Sequence, residues 1–130
     1  MKTPVFTGAN VAIITPMTEN GIDLARLGDI IEFEIAGGIN AITICGTTGE
    51  SSTLTHDEHC EAIEFCMKKV AGRVPVIAGT GSNDTAYALE LSKFAEGVGV
   101  AGLLMATPYY NKTTQRGLIA HYTYLADRVN

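Results

Sequence analysis

The chain has 130 residues, enough for one ordinary domain and too few for two separate cores. Apolar residues at 46% and charged residues at 18% exclude a disordered tail, and a net charge of −5 excludes the basic footprint of a nucleic-acid or anionic-membrane binder. No run approaches the roughly 20 apolar residues of a membrane span. The opening MKTPVFTGAN has no apolar signal-peptide core, and three cysteines form neither an even disulfide set nor a metal-ligand spacing. The expectation is a reduced, cytoplasmic α/β protein with no metal, no cofactor and no nucleic-acid or membrane partner.

Along the chain, short apolar runs alternate with helical stripes. VAIIT (11–15), bounded by Asn10 and Pro16, predicts a first buried strand. Leu24, Leu27, Ile31 and Ile35 then recur at helical spacing and stop at Gly37–Gly38. AITI (41–44) predicts a second strand. Cys60, Ile63, Met67 and Val70 mark the second helix, opened by the capping box Thr55–Glu58 and closed by Gly72. VPVIA (74–78) and GLLMA (102–106) predict the third and fourth strands. Tyr87, Leu91, Phe94, Ala95 and Val98 form the third helical stripe, and Leu118, Tyr122, Leu125 and Val129 the last. A unit of about 30 residues is the size of a βαβ step, which implies a parallel sheet with right-handed crossovers. Periodicity leaves two architectures open: an open doubly wound sheet, or four β/α units of a (β/α)8 barrel, whose full form takes about 250 residues.

In both architectures ligands meet the C-terminal ends of the strands. Those ends read T-P-M-T, C-G-T-T-G-E-S-S, G-T-G-S-N-D and T-P-Y-Y-N-K, rich in hydroxyls and glycines and poor in charge. Such a set suits a small, oxygen-rich ligand with a carboxylate. In GTTGE, Gly46 and Gly49 permit close backbone approach, while Thr47 and Thr48 offer hydroxyls beside their own amides. The bland alternative is a loop whose threonines cap local backbone. G-T-G-S-N-D follows a strand, but Asp84 puts a negative charge where a dinucleotide's phosphates would lie, so it reads as a turn with an N-cap. Tyr109–Tyr110 are awkward as core because both phenols want partners. His56 and His59, at i and i+3, have no evident third metal ligand and read as a solvated helix face.

Together G-T-T-G-E-S, L-T-H-D-E-H, V-I-A-G-T-G-S-N and T-P-Y-Y-N-K, in unbroken order, resemble the dihydrodipicolinate synthase/N-acetylneuraminate lyase family, and paired Thr47–Thr48 with T-P-Y-Y-N-K resembles its dihydrodipicolinate synthase branch. The resemblance implies a (β/α)8 barrel that binds pyruvate as a Schiff base on a lysine and adds aspartate semialdehyde, a step of lysine biosynthesis. It implies that Thr47 relays protons, that Thr47 and Thr48 hold pyruvate, and that Tyr110 completes the relay in a neighbouring subunit. It also implies a feedback site for lysine over Ser51, His56, His59, Asn83 and Tyr109. Tyr87 stands where the family has the glutamate that receives the ligand's ammonium, and Ser52 where alanine is usual, so cation binding there is expected to be weakened.

The likeness ends at Asn130, and the family's Schiff-base lysine and second relay tyrosine have no counterpart. Lys2, Lys68, Lys69 and Lys93 belong to the N-terminus or to helices. Lys112 follows a strand, but a loop position does not give the buried, lowered-pKa amine that imine chemistry needs. The expectation is a single half-barrel domain over 1–130, truncated before a fifth strand and inactive alone. Its two free sheet edges would be satisfied by a C-terminal half chain, by dimerisation into a closed barrel, or by opening to a flavodoxin-like sheet. The alternative function is a non-catalytic half-barrel that binds a small 2-oxo acid or amino acid. An unrelated nucleotide-binding α/β module comes last.

Overall fold

The structure is a computed structural model that describes residues 3–130. Strand β1 (Asn10–Ala12) is shorter than the predicted VAIIT run. Its ladder continues through one further bond, Ile13 N–H to the Thr43 carbonyl at 3.1 Å, before Pro16 turns the chain. There the structure adds an element that the apolar pattern does not announce. Strands β2 (Met17–Thr18) and β3 (Gly21–Ile22) form a small antiparallel hairpin, with Gly21 at φ +112°. Asp23 then caps helix α1 (Leu24–Ala36) by accepting from the Arg26 amide.

The rest follows the predicted grammar with shifted ends. Strand β4 (Ala41–Ile44) leads to α2 (His56–Val70), where both halves of the Thr55–Glu58 capping box are made. Strand β5 (Val76–Gly79) begins after Pro75, which has no amide to donate within a ladder. Asp84 caps α3 (Thr85–Gly97), accepting from the Ala86 and Tyr87 amides. Strand β6 (Gly102–Leu104) stops before Met105, and α4 (Gln115–Ala126) ends short of Val129.

β1, β4, β5 and β6 form one parallel sheet in chain order, with Val11 beside Ile42, Ile42 beside Val76 and Ile77 beside Gly102. A flavodoxin-like sheet reverses its strand order at a switch point. This one does not, so that opening is corrected: the strands run as an arc of barrel wall. Ile42, Ile44, Val76 and Ala78 pack against Leu27 and Ile31 of α1, Ala62, Ile63 and Cys66 of α2 and Ala95 of α3. Each fully buried large side chain contributes about 1.5–3 kcal/mol. Arg73 adds a bidentate pair to Glu32 at 2.8 and 2.9 Å. With Lys69 it holds the Glu32 carboxyl down at about 2.

By the period of two, Ala12, Thr43, Ile77 and Leu104 share the opposite face. Among the described residues no helix covers that face, and Ile14 and Leu104 stand 54% and 49% exposed. Parallel sheets are normally covered on both faces.

Candidate active site at the strand ends

The loop after β4 is held in an unusual conformation. Cys45 and Glu50, neither of them glycine, take φ of +53° and +55°. The Glu50 amide donates to the Thr47 carbonyl at 3.0 Å, and Thr53 donates its amide and hydroxyl to the Glu50 carbonyl at 2.9 and 3.0 Å. From the end of the first strand, the buried Thr15 hydroxyl donates to the Gly49 carbonyl at 2.8 Å. Thr47 and Thr48 stay exposed at the crest, and their hydroxyls take no part in these bonds.

Thr15 was not among the predicted site residues, though T-P-M-T was read as a strand end. Replacing it by valine strips a buried carbonyl of its donor, which is expected to cost about 1–3 kcal/mol in urea denaturation; Thr15→Ser should recover most of that.

The neighbouring loop is pinned from behind. His59 is 2% exposed, and its Nε2–H donates to the Gly79 carbonyl at 2.8 Å. The structure therefore corrects the reading of His56 and His59 as one solvated face, because α2 turns His59 inward. Burial pushes the His59 pKa below its ordinary 6.5, only partly opposed by the bond to Gly79. As pH falls below 6.5, the unfolded ring takes up a proton that the folded ring resists, so the unfolded state binds more protons and stability falls. Denaturation midpoints are expected to hold above pH 6.5 and to decline below it, and His59→Gln should flatten that decline.

The third loop carries two more outliers, Tyr110 at φ +69° and Lys112 at φ +49°. Asn111 N–H closes on the Tyr109 carbonyl at 2.9 Å, leaving Tyr110 at the centre of a three-residue turn. Asn111 donates to the Asn83 carbonyl at 2.8 Å, and Asn83 donates to the Asn111 side-chain oxygen at 3.3 Å. This tie holds the strained turn so that Tyr110 stands 94% exposed.

A hollow of about 300 Å³ is lined by Thr47, Ser51, Ser52, Gly81, Ala106, Thr107 and Tyr109. The structure thus brings Thr47, Ser51 and Tyr109 to one place. Thr48 and Tyr110 lie outside that lining, and His56 faces the α2–α3 side, 5.8 Å between ring centroids from Tyr87. Thr107 is a lining hydroxyl that sequence reasoning passed over within T-P-Y-Y-N-K. No charged side chain lines the hollow; its surface is mainly apolar, with the hydroxyl-bearing residues Thr47, Ser51, Ser52, Thr107 and Tyr109 set into it. The thiols of Cys45 and Cys66 are buried and pushed up to about 12 by that burial, so they are not nucleophiles here. No helix of the described residues is long and apolar enough to cross a membrane.

Residues 5–130 match the Dihydrodipicolinate synthetase family. The 4-hydroxy-tetrahydrodipicolinate synthase of Acetivibrio thermocellus is 58% identical over 129 residues, which cover 99% of this chain and 44% of the relative. The crystal structure of dihydrodipicolinate synthase from Aquifex aeolicus superposes with a TM-score of 0.93 at 51% identity, over 96% of this chain and 43% of that one. The chloride-inhibited dihydrodipicolinate synthase of Acinetobacter baumannii, complexed with pyruvate, gives 0.91 at 45% identity, over 95% and 43%. The chain thus spans less than half the length of these relatives and corresponds to the N-terminal half of their (β/α)8 barrel. A match along nearly the whole chain, with a barrel arc that superposes this closely, leads to one assignment: the chain belongs to the dihydrodipicolinate synthetase family.

Proposed function

We propose that this polypeptide supplies the pyruvate-holding, proton-relaying half of a 4-hydroxy-tetrahydrodipicolinate synthase, which condenses pyruvate with aspartate semialdehyde. The observation that carries the reading is Thr47, standing with Ser51, Thr107 and Tyr109 around an uncharged hollow of about 300 Å³. The likeness to a synthase complexed with pyruvate supports the same ligand class.

The chemistry needs an amine that adds to the C2 ketone of pyruvate with loss of water. The protonated imine then draws electrons from the methyl carbon, which gives up a proton and attacks the aldehyde carbon, whose oxygen takes a proton. Thr47 is suited to pass those protons, and Thr48 to hold the carboxylate through its amide and hydroxyl. Tyr110, held outward at a strained φ of +69°, is suited to reach the Thr47 of a neighbouring copy.

In this reading the amine comes from β/α units that follow α4, outside these 130 residues. Lys68 and Lys69 are paired on helices with Glu64 and Glu32. Lys93 and Lys112 are exposed, and Lys2 lies outside the described residues. The same units would cover the open face and pair the free edges of β1 and β6. Without them, two copies could close on each other.

A feedback cleft over Ser51, His56, Asn83 and Tyr109 belongs to this reading, with Tyr87 removing a carboxylate and weakening its hold on a cationic amino acid. His59, closed off against Gly79, would act there only through the loop that it pins.

The test joins residues 1–130 to the remaining β/α units of the Acetivibrio thermocellus enzyme. Turnover by the joined polypeptide, with none by 1–130 alone, is the expected result. A joined polypeptide that melts cooperatively yet stays inert overturns the reading.

A further inference from the structure

We propose that His121, acting through Thr85, is a positioning residue for the turn that holds Tyr110 outward; the inference rests on the relay role given to Tyr110 above. His121 lies in the middle of α4 and is only 6% exposed. Its Nδ1 meets the Thr85 hydroxyl oxygen of α3 at 2.8 Å. Its Nε2 is buried with no hydrogen-bond partner among the described residues. A buried polar atom without a partner carries a cost that an apolar side chain of similar size avoids. Packing alone therefore does not account for an imidazole at this position. With the proton on Nδ1, donating to Thr85, the unpartnered nitrogen is left as a lone pair rather than an N–H, the less costly arrangement.

The bond falls where it can act on Tyr110. Asn83, Asp84 and Thr85 are consecutive, and each holds something different. Asn83 is tied to Asn111 by bonds of 2.8 and 3.3 Å. Asp84 caps α3, and Thr85 accepts from His121. One helix start thus grips the chain at both ends of the span 111–121, which leads into the middle of α4. Tyr110 stands immediately before that span, in a turn with positive φ at Tyr110 and Lys112. Such a turn of non-glycine residues persists only where its surroundings over-determine it. Asn111 ties its near end, and His121 fixes the helix into which its far end runs. A slip of α4 along α3 would pass to the turn and displace the phenol that reaches the Thr47 of a neighbouring copy.

Tyr122 works from the same anchor. Its ring packs edge-on to the His121 ring, with centroids 5.1 Å apart. Its hydroxyl points back to the Thr107 hydroxyl oxygen at 3.3 Å and to the Met105 carbonyl at 3.4 Å. One turn of α4 therefore meets both the start of α3 and a lining residue of the hollow. The Thr114 cap, by contrast, reaches only the Gly117 amide within α4 and cannot set where that helix lies.

Hydrogen exchange on the 130-residue chain is the first test, because it needs no turnover. In Thr85→Val and in His121→Leu, backbone amides between Thr107 and Thr114 are expected to exchange about tenfold faster, with those of β4 and β5 unchanged. His121→Asn, whose side-chain amide can donate where Nδ1–H does, should restore the slow rate. Steady-state kinetics of the joined polypeptide is the second test. Thr85→Val and His121→Leu are each expected to lower kcat about ten- to a hundredfold, with KM for pyruvate within about twofold, and to add nothing in a Tyr110→Phe background. Damage unconnected with Tyr110 would multiply onto that background instead. Thermal melts check that each variant folds; should His121→Leu not fold, the isosteric Thr85→Val carries both tests. Unchanged exchange between Thr107 and Thr114, no rescue by asparagine, or a kcat loss that persists with Tyr110→Phe overturns the proposal. A joined polypeptide that is inert throughout strikes the synthase reading instead, and the exchange rates then decide whether His121 and Thr85 hold the turn.

Discussion

Replacing Thr47 by valine in the joined polypeptide is expected to lower kcat by roughly 10²–10⁴-fold, the range that one positioned proton-transfer group supplies. Valine keeps the shape of threonine and removes the hydroxyl. The loop should keep its conformation, because its buried tie runs from Thr15 to Gly49 and its other bonds from Glu50 and Thr53. Tyr110→Phe is expected to cost a similar factor while leaving stability unchanged, since that ring is 94% exposed. The double variant should be little worse than either single one, as groups that act as a unit are not additive. Thr48→Val should act differently, raising KM for pyruvate more than it lowers kcat. Steady-state kinetics on the four variants decides the matter. A Thr47→Val enzyme within threefold of the parent would remove the proton relay from the account.

Gly79→Ala is expected to prevent folding. An added Cβ at Gly79 would lie 2.0 Å from the Cys45 carbonyl oxygen, 2.5 Å from its carbon and 2.8 Å from the Gly46 nitrogen. All three atoms are backbone at the end of the central strand β4, so no side chain can swing away. Accommodating a methyl means parting β5 from β4, and the hydrogen bonds and packing lost compare with a whole domain's stability of about 5–15 kcal/mol. Gly97→Ala is the control. Nothing lies within 4 Å of its Cβ position at the end of α3, so alanine there should raise the melting temperature, by the equivalent of up to about 1 kcal/mol. Soluble yield and thermal melts of the two variants read out both effects. A cooperative melt of Gly79→Ala near that of the parent would contradict the packing described for the strand ends.

How much of this was legible beforehand differs by element. The four apolar runs and the helical stripes were readable because burial on one face imposes their periods, and the Thr55–Glu58 and Asp84 caps were readable because capping is local chemistry. The β2–β3 hairpin was not, since two-residue strands carry no periodicity; Asn20–Gly21, a common turn pair, was its one signal. The inward turn of His59 was hidden because i, i+3 spacing says that two residues are neighbours on a helix, not which of them meets the sheet. Thr15 was hidden for the opposite reason: its partner, the Gly49 carbonyl, lies 34 residues away and is backbone. Thr47, Thr48, Tyr109 and Tyr110 were singled out as chemistry-bearing residues at strand ends, and the fold puts Thr47 and Tyr109 on one hollow. That Tyr110 should point away from it follows from a strained φ that no sequence pattern reports.

The most direct measurement is mass spectrometry after incubation with pyruvate and borohydride, run on the joined polypeptide and on residues 1–130 alone. The account predicts a reduced pyruvate adduct on a lysine outside residues 1–130 in the first sample and no adduct in the second. An adduct within residues 1–130, on Lys112 or any other lysine, would contradict it.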